Sequence, residues 1–157
     1  MQAKEIYEVL KTEFGDSIIS FNDTAAGDPF IEIQSDKILE IGLFLRDNES
    51  LLFDFLNSIT AMDLVDKLAA VYHIYSVSLN HRIVIKLFVP KDNPKVPTVE
   101  RCWRTADWHE REAWDLIGIE FVGHHNLIRI LCPYDWEGHP LRKDYTAPEF
   151  YHGIKVN

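Results

Sequence analysis

The feature that most restricts the fold is a pair of β-prone runs, Val71 to Ser78 and Arg82 to Val89, followed at once by Pro90-Lys91-Asp92-Asn93-Pro94-Lys95-Val96-Pro97. In the second run Ile83, Ile85, Leu87 and Val89 alternate with Val84, Lys86 and Phe88, the period of a strand with one face on a core. Leu79-Asn80-His81 supplies the turn, so the pair predicts an antiparallel hairpin near the middle of a sheet. The three prolines that follow lack N–H donors and restrict the residues before them, so this segment is expected to break regular structure and end the sheet. The chain therefore reads as one domain of 157 residues, with sheet and helices over 1–97 and a helix and tail over 98–157. That length, with 46% hydrophobic residues, is enough for one core and too little for two comfortable ones.

Upstream, Ala3, Ile6, Leu10 and Phe14 fall at helical spacing, and Gly15 follows where a helix would stop. Ile18 to Phe21 and Phe30 to Ile33 are short β-prone runs joined by the loop Asn22 to Pro29, a hairpin-like pair. Ser35 or Asp36 is placed to cap a second helix carrying Ile38, Ile41, Gly42 and Leu45 on one face and ending near Asp47-Asn48. Gly42 on that face predicts close approach of a neighbour. Leu51 to Leu56 reads as a helical turn or the approach to a strand over Ser58 to Leu64. Together these elements predict an α+β fold: a mixed, largely antiparallel sheet with helices packed on one side and an extended C-terminal tail.

Charge and cysteine content exclude several functions. A formal net charge of −9 argues against general nucleic-acid binding, which draws its affinity from clustered Lys and Arg, and against adsorption to an anionic membrane. Cys102 and Cys132 lie 30 residues apart without a CxxC, so the chain has no four-thiolate site, and both read as free thiols. No basic N-terminal segment precedes an apolar run, and no apolar stretch approaches the roughly 20 residues of a spanning helix.

Asp107 to Tyr145 holds three of the four tryptophans and four of the seven histidines. Asp107 and Glu110 have capping-box spacing for a helix running to Ile117, with Gly118 placed to end it. Arg111 and Asp115 are four apart and face each other on that helix. Its charged residues Glu110, Glu112 and Asp115 are expected to pair with Arg129, Arg142 or Lys143 and so fix the irregular tail onto the helix; the alternative is a solvated charged face. His124-His125, with His139 and His109, suggests a metal centre. The spacing is unfavourable, because HExxH is absent and adjacent histidines in an extended segment point apart. Neither cysteine has a histidine partner in sequence and no phosphate loop or nucleophile elbow occurs, so no residue is assigned as catalytic, cofactor-binding or metal-binding.

The run Glu110-Arg111-Glu112-Ala113-Trp114-Asp115-Leu116-Ile117-Gly118-Ile119-Glu120-Phe121, then Gly123-His124, Leu127, Arg129-Ile130-Leu131 and Asp135-Trp136-x-Gly138-x-Pro140-Leu141-Arg142-Lys143-Asp144-Tyr145, resembles the signature of the 30-kDa subunit, or C-type subunit, of respiratory complex I. The alternative within the same machinery is the related J-type subunit of a ferredoxin-driven photosynthetic NDH complex, whose compact length this chain resembles, or a subunit of a membrane-bound hydrogenase complex. The match covers about residues 98 to 151 without a gap; one departure is His125, where the family usually has proline. The resemblance implies a non-catalytic subunit of an NADH:quinone oxidoreductase, holding no cofactor itself, with FMN and iron–sulfur clusters in partner subunits. It implies a peripheral position on the cytoplasmic face of the cell membrane, as part of a hetero-oligomeric membrane complex and without a membrane span. The implied partners are the hydrogenase-like large subunit that forms the quinone site and the small subunit that carries the terminal iron–sulfur cluster. The partner-binding and assembly residues implied are Glu110, Arg111, Glu112, Asp115, His124, Arg129, Trp136, Arg142, Lys143, Asp144 and Tyr145. Outside this class, a small metal-dependent hydrolase using His124, His125 and His139 is the alternative.

Overall fold

The computed structural model describes residues 1–23 and 27–156; the Thr24 to Ala26 part of the expected β1–β2 loop lies outside them. Its main sheet has five strands: β1 Ile18–Asn22, β2 Phe30–Ile33, β3 Phe55–Asp63, β4 Lys67–Ser76 and β5 His81–Pro90. Their order is β1-β2-β5-β4-β3, and every pairing is antiparallel except β2 with β5. The hairpin anticipated from the alternation is β4–β5, ten residue pairs in unbroken register from Lys67↔Pro90 to Ser76↔His81. Its turn is Val77 to Asn80, beginning two residues and ending one residue earlier than expected. His81 opens β5 and is buried, with its Nε2 2.6 Å from the Leu51 carbonyl, while Asn80 takes the left-handed conformation the turn requires (φ 51°).

Three helices complete the fold: α1 Ala3–Phe14, α2 Ile38–Asp47 and α3 Ala106–Ile117. Ile6 and Leu10 of α1, Ile38, Ile41 and Leu45 of α2, and Ala106, Ala113 and Ile117 of α3 join one core with Ile31, Tyr72, Ile74, Ile85 and Leu87 of the sheet. Fully burying each large aliphatic side chain contributes about 1.5–3 kcal/mol, so this single apolar cluster sets the sheet face on which the helices lie. Neither Ser35 nor Asp36 caps α2; residues 35–37 form a 3₁₀ turn that leads into it. Leu51 to Leu56 forms no helical turn; the turn lies just before it, with the Leu51 and Leu52 N–H groups on the Asn48 carbonyl, and Leu52 (φ 41°) and Phe53, whose N–H meets the Leu45 carbonyl, lead toward the strand. β3 then starts at Phe55, ahead of the expected Ser58.

The proline-bearing segment departs from its expectation. Lys95–Pro97 is a short strand, β6, paired in parallel with β7, Glu120–Val122. The ladder bonds run from the Glu120 N–H to the Pro94 carbonyl and from the Thr98 N–H to the Val122 carbonyl. Neither uses a proline nitrogen, so the prolines cost the pairing nothing. The pair places the loop after β6 beside the segment that leaves α3. The tail adds only one two-stranded ribbon, β8 Phe150–Tyr151 with β9 Ile154–Lys155.

Gly42 is the close approach its position implied. A Cβ there would lie 3.2 Å from Cys102 Sγ and 3.3 Å from the Trp103 ring. Trp103 is itself held by its indole N–H on the Phe53 carbonyl at 2.8 Å, so it has little freedom to give way. Gly42→Ala is expected to destabilise the protein by about 1–3 kcal/mol through overpacking, read from the urea midpoint; an unchanged midpoint would show that the ring can move aside.

Candidate partner-docking site

α3 carries two buried carboxylates, Glu110 and Asp115, both without solvent exposure, and around them the second half of the chain is arranged. Asp115 accepts hydrogen bonds from Arg129 Nη1 at 2.6 Å and from three successive backbone N–H groups, those of Ile130, Leu131 and Cys132, at 3.0, 2.8 and 2.8 Å. Burial pushes this carboxyl up, but the Cys132 N–H, Arg129 and the Leu131 and Ile130 N–H groups outweigh it and hold the pKa at about 2. One side chain thereby folds residues 129–132 into a concave loop against the helix.

The C-terminal end of α3 is closed by the same tail. A helix leaves its last carbonyls without intrahelical donors and with partial negative charge. Here the Asp115 carbonyl accepts from Arg129 and from His139 Nδ1, which therefore carries the ring proton. The Leu116 carbonyl accepts from the Leu141 N–H, and the Ile117 carbonyl from Arg142 Nε at 2.6 Å. Gly118 adopts the left-handed conformation that ends the helix (φ 84°), and a Cβ on it would meet His139 at 2.5 Å and Arg142 at 2.8 Å. The residue that stops the helix is thus also the seat of the tail.

The remaining site residues divide into clamps and exposed positions. Arg111 donates to the carbonyls of Ile128 and Arg129 rather than facing Asp115 as expected. The Lys143 N–H and Lys91 Nζ both reach Asp63, while Lys91 also meets Asp144 at 3.1 Å. The Lys91 side chain, then the Lys143 N–H, lower the Asp63 pKa to about 2. Trp136 packs against Tyr151 with ring centroids 5.1 Å apart, and Tyr145 lies against Gly138. Glu112 is exposed and, among the described residues, has no ion pair, so it does not bind the tail.

Glu110 differs most from its expectation. It neither closes a capping box with Asp107 nor meets an arginine; it turns inward and accepts from the Thr98 hydroxyl and the Val99 N–H, at 2.5 and 2.7 Å. Burial pushes its pKa to about 7 against those two hydrogen bonds. His124 Nε2 lies 4.0 Å from it, 3.2 Å from Asp107 and 3.8 Å from Glu100. The adjacent histidines do not point apart: their rings stack at 5.2 Å because they sit on a turn after Gly123 (φ 87°), not in an extended strand. His139 is packed at the other end of α3, so the three-histidine hydrolase centre does not form.

Sequence reading missed Asp63, Lys91, Thr98 and Glu100. Each acts across a long sequence separation on a partner that no local spacing marks.

Outside these clamps the tail exposes large apolar side chains: Ile128, Leu131, Tyr134, Leu141, Phe150 and Ile154, with Tyr134 92% exposed. A contiguous segment held rigidly by buried polar contacts while presenting aromatic and aliphatic groups outward has the character of a binding surface.

The family described as respiratory-chain NADH dehydrogenase, 30 Kd subunit, matches residues 31–151 of this chain. The C subunit of NADH-quinone oxidoreductase from Chlorobium phaeobacteroides is 44% identical over 159 aligned positions, covering 99% of this chain and 95% of that protein. Its counterpart from Chloroherpeton thalassium is 42% identical over 153 positions; the alignment covers 96% of this chain but only 63% of that relative's length. The solved structure of a trypsin-resistant fragment of Nqo5 superposes with a TM-score of 0.65 at 25% identity, covering 78% of this chain and 98% of the fragment. A chain of the archaeal membrane-bound sulfane sulfur reductase shares the fold, with a TM-score of 0.75 at 23% identity over 91% of this chain and 85% of its own. The chain belongs to the 30-kDa subunit family of respiratory-chain NADH dehydrogenase.

The two carboxylates make opposite demands on the fold. Removing Asp115 strands Arg129 and three backbone N–H groups, all part-buried, so Asp115→Ala is expected to cost about 2–4 kcal/mol in chemical unfolding; a loss below about 1 kcal/mol would mean that the tail is held by other contacts. The pH responses of the two groups also have opposite signs. Asp115 lies near 2 in the fold against 3.8 ordinarily, so its contribution is complete above pH 3.8 and is lost as pH falls through about 2. Glu110 lies near 7 against 4.5, so its contribution is complete below pH 4.5 and is lost as pH rises through about 7. Unfolding midpoints between about pH 5 and 8 are expected to fall for the wild type and to stay flatter for Glu110→Gln, whereas parallel profiles would show that Glu110 is ionised throughout.

Proposed function

We propose that this chain is the C-type, 30-kDa subunit of an NADH:quinone oxidoreductase of the complex I type, a non-catalytic member of its peripheral arm. Family membership and the relatives of the same name support the assignment to the complex. The single structural observation that carries the docking role is the tail from Ile128 to Ile154, clamped to α3 by Asp115, Arg129 and Arg142 and apolar on its outer side. Its occupant is the hydrogenase-like large subunit that helps form the quinone site, beside the small subunit with the terminal iron–sulfur cluster. FMN and the clusters reside in those partners and their neighbours, and this chain supplies position rather than electron transfer. No helix among the described residues is long and apolar enough to cross a membrane, which accords with a peripheral place on the cytoplasmic face of the cell membrane. The J-type reading is not favoured, because the relatives matched over nearly the whole chain are named as C subunits of NADH-quinone oxidoreductase.

Tyr134, Leu131 and Leu141 are exposed on this tail, and so is Lys143. Aromatic anchors of this kind carry a large share of interface energy. Tyr134→Ala is therefore expected to leave the unfolding midpoint of the chain unchanged while reducing co-purification with the large subunit at least about tenfold. Arg142→Ala is expected to lower the amount of assembled complex without changing quinone reductase turnover per assembled complex. Normal assembly with reduced turnover would overturn the docking role and point to a direct effect on the quinone reaction.

A further inference from the structure

A second cluster lies at the opposite end of α3 from the tail clamps. Glu100 follows β6, Asp107 is in the first turn of α3, and His124 and His125 follow β7. The pairing of β6 with β7 brings these three segments together. One ligand atom from each of Glu100, His124 and His125 lies within 4.8 Å of the others. Glu100 Oε2 is 2.7 Å from His125 Nδ1 and 3.8 Å from His124 Nε2, and Asp107 Oδ1 is 3.2 Å from the same His124 nitrogen.

We propose that Glu100, His124 and His125, with Asp107 completing the set, form a binding site for one divalent transition-metal ion of the zinc class. A tetrahedral ion with ligands at about 2.0–2.1 Å sets its ligand atoms about 3.4 Å apart. The Glu100–His125, Glu100–His124 and Asp107–His124 separations bracket that value, so Glu100, His124 and His125 need only small shifts, while Asp107, which lies outside their 4.8 Å group, must turn further to join them. Two imidazoles with two carboxylates favour zinc and its neighbours over magnesium or calcium, which take oxygen ligands. The two carboxylates also balance the charge of the ion. The His124 side chain is fully buried and fixed, whereas His125 is 61% exposed on the rim. An open cleft lined by Glu100, Asp107, His125, Arg101 and Arg104 supplies the entry path. Arg101 and Arg104 both oppose a cation there, so the ion is held by its direct ligands rather than by the general field.

The protons have a place to go. His124 Nδ1 accepts the Asn126 N–H and its Nε2 bears the proton, directed at the Asp107 carbonyl. On binding, that proton moves to Nδ1, where it would oppose the Asn126 N–H, so the peptide of this exposed turn has to shift and give its N–H to water. His125 likewise moves its proton from Nδ1 to Nε2, leaving the nitrogen that faces Glu100 free for the ion. Bound to the ion, both histidines are neutral imidazoles, and any further proton that His125 carries beside Glu100 is released to solvent. The occupied site would tie the loop after β6 and the turn after β7 to the start of α3, independently of partner docking.

The test is titration calorimetry of the metal-stripped full chain with zinc and, separately, magnesium, alongside thermal melts. The expected result is one zinc equivalent bound, no magnesium binding, and a zinc-dependent rise in Tm. His125→Phe keeps a ring stacked on His124 but removes the nitrogen, and Glu100→Gln removes the shared carboxylate. Each is expected to weaken zinc binding at least about tenfold and to abolish the rise in Tm, while His152→Asn, at an exposed histidine far along the tail, changes neither. Absence of a stoichiometric zinc site, or binding unaffected by His125→Phe and Glu100→Gln, would overturn the proposal.

Discussion

The structure depends most on how the C-terminal end of α3 is satisfied. Its last carbonyls receive their donors from residues 14 to 25 positions further along the chain, through Arg129, His139, Leu141 and Arg142. Most helices close with a local turn. This one has such a turn, the Gly118 N–H bonding the Ala113 and Trp114 carbonyls, and adds a remote segment that takes the carbonyls the turn leaves open, so the helix end and the tail are formed together. Gly118 makes that possible twice over, by turning the chain and by leaving the space that His139 and Arg142 occupy.

The two buried carboxylates on α3 show how environment decides chemistry. Asp115 is surrounded by donors and stays ionised, whereas burial, aided by Glu100 and Asp107 nearby and opposed by only two hydrogen bonds, pushes Glu110 toward neutrality. Their tasks differ accordingly. Asp115 shapes a loop of successive N–H groups, and Glu110 links α3 to the start of the segment after β6. In these contacts both groups are architectural.

Much of the fold was legible in the sequence because its elements are locally coded. The apolar spacing of α1 and α2, the alternation in β5 and the glycine after Ile117 each express a preference that tertiary structure respects. The Asp115–Arg129 pair was legible as one of several pairings, since charge on a helix bearing Trp114 and Ala113 implies an opposite charge nearby. The departures have a common physical origin. Lys95–Pro97 forms a strand because its proline nitrogens face away from the ladder, a property of register rather than composition. Glu110 satisfies a capping-box spacing yet points inward, since Thr98 and Val99 offer better donors than the helix start. The stacked histidines arise from a turn set by Gly123, and Glu100 joins them only through the β6–β7 pairing. Contacts created by topology leave no periodic trace.

The loop that begins at Arg129 is organised without strands or helices of its own, by a single ionised carboxylate that keeps three N–H groups in line. A segment of that irregularity would ordinarily be a floppy ligand that loses conformational entropy when it meets its receptor. Here folding of the domain has already fixed the backbone, and the exposed face is a preshaped apolar relief. The shape of the outer face is therefore set from the inside, by a carboxylate that has no exposure of its own.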